Sequence, residues 1–120
     1  MLEKDHFVRF VGLSNHLGHM IATAYRDGLV PLMTQEETAR YAVQAAIRAA
    51  TRDSFESKVG ELKFSISRYG RLVRATVPIK SSGKNNKFLL LLSFDVDAEA
   101  DSILDKKILP YIAENKDYFL

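Results

Sequence analysis

Residues 34–59, TQEETARYAVQAAIRAATRDSFESKV, constrain the fold more than any other stretch of the chain. Thr34 and Glu37 have the spacing of a capping box: the Thr hydroxyl can accept from the Glu37 N–H, and the Glu carboxylate can reach back to the Thr34 N–H. Glu36 and Glu37 also place negative charge at the positive end of the helix dipole. Pro31 discourages helix upstream. Gly60 supplies a left-handed cap residue downstream. The interior is rich in alanine, the best helix former. One long helix is therefore predicted. At about 100° per residue, two stripes run along it. Ala39, Val43, Ala46, Ile47 and Ala50 form one, read as the face toward a sheet. Tyr41, Ala45, Arg48, Arg52 and Phe55 form the other, on nearly the opposite side, where an ordinary surface helix is polar. Arg52 by itself is read as laying its stem over its own chain. The stripe as a whole is read as a surface that a second subunit covers.

Strand signals flank this helix. Residues 7–13, FVRFVGL, read as a strand, Ser14 to Gly18 as a turn, and residues 19–25 as the returning strand of a hairpin. Beyond the helix, residues 61–67 alternate: Leu62, Phe64 and Ile66 point one way, and Glu61, Lys63, Ser65 and Ser67 the other. That is a half-buried strand at or near a sheet edge. Arg68 to Arg71 make a turn. Residues 72–77 form the next strand, which Pro78 is expected to end because it cannot donate to a ladder. A polar loop at 81–86 follows. Residues 88–94, FLLLLSF, are apolar on both faces and should be the central strand. Residues 98–116 form a last helix, with Leu104, Ile108, Tyr111 and Ile112 at helical spacing and a kink or split expected at Pro110. The C-terminal Tyr118, Phe119 and Leu120 are expected to pack back or fray. Two antiparallel units thus flank a crossover helix.

The chain of 120 residues is read as one domain, 1–120, large enough for a real core. It has no cysteine, which removes disulfide and thiol chemistry and fits a reducing cytoplasm. Its longest apolar run, residues 88–92, is far too short to span a bilayer. Net charge is only +2, but unevenly spread. Residues 58–87 are basic, and residues 95–105 carry Asp95, Asp97, Glu99, Asp101 and Asp105. Both are read first as solvated faces.

Chemistry is hard to find. His16 and His19 flank the hairpin turn with His6 a strand away, yet no third metal ligand is evident. The run from Asp95 has Ala100 and Lys106 where a calcium loop needs Gly and Glu. No nucleophile elbow or glycine-rich phosphate loop is present. The carboxylates do not form an acid–base pair. No catalytic residue, metal or cofactor is expected.

The element order, with the apolar strand from Val8, the polar turn ending in Gly18, the small residues up to Ala24, the helix from Thr34 and the strand at 88–94, resembles the profilin-like fold. It is most similar to the roadblock/LC7 family, in a short form without the family's usual first helix, as in small archaeal proteins of this type. The resemblance implies an α+β fold: a five-stranded antiparallel sheet in the order 2-1-5-4-3 with helices on both faces. It also implies dimers formed through the long helix and the strand after it, and a non-catalytic platform for small GTPases or motor complexes. The expected interface is Tyr41, Ala45, Arg48, Arg52, Phe55, Lys63, Ser65 and Ser67. The expected partners are a second copy and a small GTPase or other signalling protein, with neither membrane nor nucleic acid, in the cytoplasm. Two competing readings are a small-ligand sensor of the PAS or GAF kind, which needs a pocket between sheet and helix, and nucleic-acid binding through residues 58–87.

Overall fold

The computed structural model describes residues 2–53, 55–80 and 87–115. The loop read at 81–86 and the terminal residues 118–120 lie outside the described residues. After a 3₁₀ turn at Leu2–Lys4, the strands are β1 (Val8–Asn15), β2 (Met20–Tyr25), β3 (Ser65–Arg68), β4 (Leu72–Lys80) and β5 (Lys87–Asp95). They form one antiparallel sheet in the order β2-β1-β5-β4-β3. The order and the central place of β5 are those expected from the sequence. Leu89 to Phe94 are all buried, because β5 is covered on both faces.

The capping box at Thr34 forms as read. Glu37 N–H donates to Thr34 Oγ1 at 3.1 Å, and Thr34 N–H donates to Glu37 Oε1 at 2.9 Å. The helix it opens does not run to Val59, however. It is α1 (Gln35–Asp53), followed by a one-turn α2 (Glu56–Val59). At the junction the Phe55 N–H donates to Arg52 O, three residues back rather than four. Glu56 then pairs with Lys80 at 2.9 Å, which ties α2 to the end of β4. Gly60 ends it at φ 89°.

Two strand boundaries also differ from the expectation. The alternating segment at 61–67 pairs with β4 only from Ser65. And β4 continues through Pro78, which pairs with Leu89. The backbone parity explains this. Tyr69 N–H donates to Leu72 O, so the even-numbered residues of β4 turn their backbone toward β3. Pro78 therefore aims its missing N–H at a side where β3 has already stopped, and no ladder bond is lost.

The last helix carries Pro110, whose ring would collide with the carbonyl four residues back. The chain answers with α3 (Ala100–Ile103), a π turn over Leu104–Ile108, and α4 (Leu109–Glu114). A π turn widens the helix where the ordinary bond is forbidden. This layer holds most of the core. Val73, Val77 and Ile79 of β4 and Leu90, Leu92 and Phe94 of β5 meet Ile103, Leu104, Ile108 and Ile112. Each such side chain contributes about 2 kcal/mol on burial, against less than about 1 kcal/mol for each alanine on the α1 side. The sheet is thus anchored mainly through α3 and α4, while α1 sits on a thinner layer.

The acidic run does not lie wholly in solvent. Asp95 accepts from Arg26 Nη1 at 2.8 Å and Nη2 at 3.1 Å, and from Arg9 Nη1 at 3.2 Å. Arg26 holds its carboxyl below the usual carboxylate range, against the upward push of burial, and Arg9 adds to the effect. For Asp5, burial pushes the carboxyl up but is outweighed by the Lys107 ammonium at 2.7 Å and the Phe7 N–H at 2.9 Å. Both folded-state values thus lie below the unfolded ones. The stabilisation is complete above the unfolded carboxylate pKa, about 3.9, and is lost as pH falls from there through the lower folded-state values. Thermal midpoints are expected to be flat from neutrality to about pH 5 and to drop below about pH 4. Asp95→Asn should cost about 1–2 kcal/mol at pH 7 and flatten part of the acid limb. A denaturation series across pH on both proteins checks this; equal acid limbs would refute it.

Candidate functional site

The long helix turns a different face to the sheet from the one its pattern suggests. Thr38, Ala42, Ala45 and Ala46 are buried, with Tyr41 and Ala49 partly so, over Leu89 and Leu91 and beside Phe10 and Met20. Of the stripe read as sheet-facing, only Ala46 points inward. Ala39 and Ala50 are exposed, Val43 is 41 % exposed and Ile47 62 %. Ala45, read as part of a partner surface, is 2 % exposed and fills its own chain's interior. The reason is space. The hairpin turn comes so close to α1 that a Cβ on Gly18 would stand 2.6 Å from Val43 Cα. The sheet beneath already presents Phe10, Met20, Leu89 and Leu91. Only small side chains fit between, so the branched ones are left outside.

The other residues of the expected interface fall into two groups. Arg48 and Arg52 of α1 and Phe55 at its junction with α2 are exposed, as are Lys63 and Ser67; Ser65 is half-buried. Arg52 Nη1 donates to Ser65 Oγ at 3.1 Å, so its stem does lie over its own chain and fastens α1 to β3. Tyr41 is half-buried, with the Arg74 guanidinium 4.0 Å from its ring and that of Arg48 5.7 Å away. Arg74 also stands 5.3 Å from the Tyr69 ring, and its Nη2 points at the Met33 sulfur. The outer face of α1 therefore presents Val43 and Ile47 in an apolar stripe with a basic flank. β3, the last strand at its end of the sheet, carries Ser65 and Ser67, with Lys63 just before it. The sequence did signal Val43 and Ile47 as apolar; their direction is what the pattern misjudged.

Two cavities lie between α1 and the sheet: one of about 50 Å³ lined by Phe10, Tyr25, Met33, Thr38, Tyr41 and Arg74, and one of about 160 Å³ lined by Ala46, Ala49, Ala50, Pro78, Ile79 and Leu89. Both are smaller than the several hundred Å³ that a ligand site occupies. A larger open groove, about 320 Å³, runs along Asp5, Asp97, Glu99, Lys106 and Lys107 on the surface instead. The pocket that the ligand-sensor reading expects is present beside Ala46 and Ala50, and it is small. Among the described residues, no three His, Cys, Asp or Glu side chains come together as metal ligands. No helix among them is long and apolar enough to cross a membrane.

No protein-family model and no curated protein matches the sequence. Solved structures do match the fold. The gliding protein MglB from Thermus thermophilus superposes with a TM-score of 0.67 at 16 % identity, over 96 % of this chain and 78 % of that one. Myxococcus xanthus MglB gives 0.70 at 17 %, over 98 % and 88 %. A roadblock/LC7 domain from Streptomyces avermitilis gives 0.62 at 9 %, over 90 % and 84 %. This chain has a roadblock/LC7-like fold. In that frame α1 is the crossover helix between the β1–β2 hairpin and the β3–β4–β5 unit, and the β3 edge follows after α2.

Proposed function

We propose that residues 1–120 form one roadblock-like domain that pairs with a second copy and serves as a non-catalytic platform for another protein, in the way the roadblock resemblance implies for small GTPases. The observation that carries this reading is the exposed Val43–Ile47 stripe on α1. Branched apolar side chains on the outer face of a long helix, next to an open strand, have the composition of an interface core with a polar rim. Around them stand Arg48, Arg52, Phe55, Lys63, Ser65 and Ser67. Tyr41 braces Arg74 at the margin, and Ala45 belongs to the protomer's own core. Pairing β3 with its copy would satisfy the backbone groups that this edge leaves open. One of the similar structures is MglB in a tetrameric arrangement, with a TM-score of 0.70 at 19 % identity over 99 % of this chain and 84 % of that one. It supports self-association as a habit of the fold.

Light scattering at submillimolar concentration tests the pairing. The wild type is expected at dimer mass. The double variant Val43→Glu with Ile47→Glu should be a folded monomer, with its helical circular dichroism unchanged. A monomeric wild type, or a dimer that ignores both charges, overturns the reading.

A further inference from the structure

Arg74 lies on the α1 side of β4, half-buried, with its guanidinium held between two rings, 4.0 Å from that of Tyr41 and 5.3 Å from that of Tyr69. Contact with the rings engages the flat faces of the group and leaves its in-plane N–H donors in need of acceptors. One of them points at the Met33 sulfur, a weak acceptor. Among the described residues no carboxylate reaches Arg74. The acids at this end of the molecule are committed elsewhere: Asp95 to Arg9 and Arg26, Glu37 to the Thr34 cap, and Glu36 to Arg40 at 3.8 Å. Arg71, exposed in the β3–β4 turn, adds further positive charge. The surroundings are otherwise apolar. Leu32, 50 % exposed, lines the same cavity as Tyr41 and Arg74, and Tyr69 is 52 % exposed. Arginine, tyrosine and methionine beside an exposed aliphatic side chain have the composition of an interface core.

We propose that this surface docks an acidic segment of a partner protein, in which a carboxylate forks onto Arg74 and an adjacent apolar side chain lies against Leu32 and Tyr69. The docking site rests on the platform reading above and adds where the other protein sits and what it carries. Charge sets the sign of the partner, because a half-buried cation without a counter-ion is completed by an anion. The planar fork of N–H donors matches a carboxylate in two parallel hydrogen bonds. The apolar flank selects a polypeptide, whose side chains can cover Leu32 and the Tyr69 ring, over a bare phosphate backbone. The two rings already hold the guanidinium, so it loses little freedom when the carboxylate arrives. Tyr41 stands about 160° round α1 from Val43 and about 120° from Ile47. The docking surface and the pairing stripe therefore face different directions.

Fluorescence polarisation with a short labelled peptide of repeating Glu-Tyr-Glu-Leu units tests this. The wild type is expected to bind it and to ignore the Gln-Tyr-Gln-Leu counterpart. Arg74→Gln, with its helical circular dichroism unchanged, should weaken binding about tenfold or more. Arg74→Lys should recover little, because an ammonium cannot fork. Arg71→Gln removes the same charge from the neighbouring turn and should change binding by less than about twofold. Leu32→Glu, at an exposed loop position, sets a like charge against the peptide and should abolish binding whatever Arg74→Gln does to the fold. The Val43→Glu, Ile47→Glu variant should bind as the wild type does. A monomeric chain that still binds thus refutes the pairing alone, and a dimer that does not bind refutes this surface alone. No binding of the acidic peptide, equal losses in Arg71→Gln and Arg74→Gln, or equally tight binding of single-stranded oligothymidine overturns the proposal.

Discussion

Ala45→Glu is expected to leave no cooperatively folded protein. The side chain is sealed between α1 and the Leu89–Leu91 surface of β5. A glutamate there must either bury its carboxylate, at a cost of several kcal/mol, or lift α1 off the sheet and lose the layer beneath. Overpacking adds about 1–3 kcal/mol. Together these approach the whole stability of a small domain, about 5–15 kcal/mol. The same substitution two residues on, Ile47→Glu, faces solvent in the isolated chain and should change monomer stability by no more than about 0.5 kcal/mol. Chemical denaturation of both variants separates the two faces of the helix. A stable Ala45→Glu protein together with an unfolded Ile47→Glu protein would mean that α1 is turned the other way.

Gly18→Ala should be the most damaging conservative change in the hairpin. Gly18 has φ +87°, which an L side chain rarely adopts, and its Cβ would meet Val43 Cα at 2.6 Å and Ala42 O at 2.9 Å. Those atoms are helix backbone and cannot swing aside as a side-chain tip would. Conformational strain of about 1–2 kcal/mol and displacement of α1 together should cost about 3 kcal/mol. For a domain of this size that lowers the melting temperature by about 10 °C. Gly28 is the control: it has φ +75° but nothing within 4 Å of an added Cβ. Gly28→Ala should therefore show the strain alone, about 1–2 kcal/mol. Equal losses at the two sites would mean that the hairpin turn does not press on the helix.

Much of the architecture is written in local chemistry. Thr34 and Glu37 mark a helix start that the hydrogen bonds reproduce. The unbroken run Phe88 to Phe94 marks a strand covered on both faces, and it lies at the centre of the sheet. Pro110 marks a disturbance, and the structure absorbs it as a π turn. Where the sequence misled, a rule about one residue met a circumstance set by distant ones. Pro78 does not end β4, because β3 stops before reaching it. Asp95 is not simply a solvated charge, because β1 and the end of β2 bring Arg9 and Arg26 to it.

The candidate site shows the same division. Periodicity established that α1 carries two stripes, and that one of them is more than the fold needs. It could not say which, because both contain alanine and both have larger residues to bury or expose. Gly18, Phe10 and Met20, all distant in sequence from the helix, leave room only for small side chains beneath it. The sequence by itself determined the elements, their order and the presence of a surplus helical face. The tertiary structure alone decided that this face is Val43 and Ile47, because helical spacing records the angle between side chains and not the depth of the space that receives them.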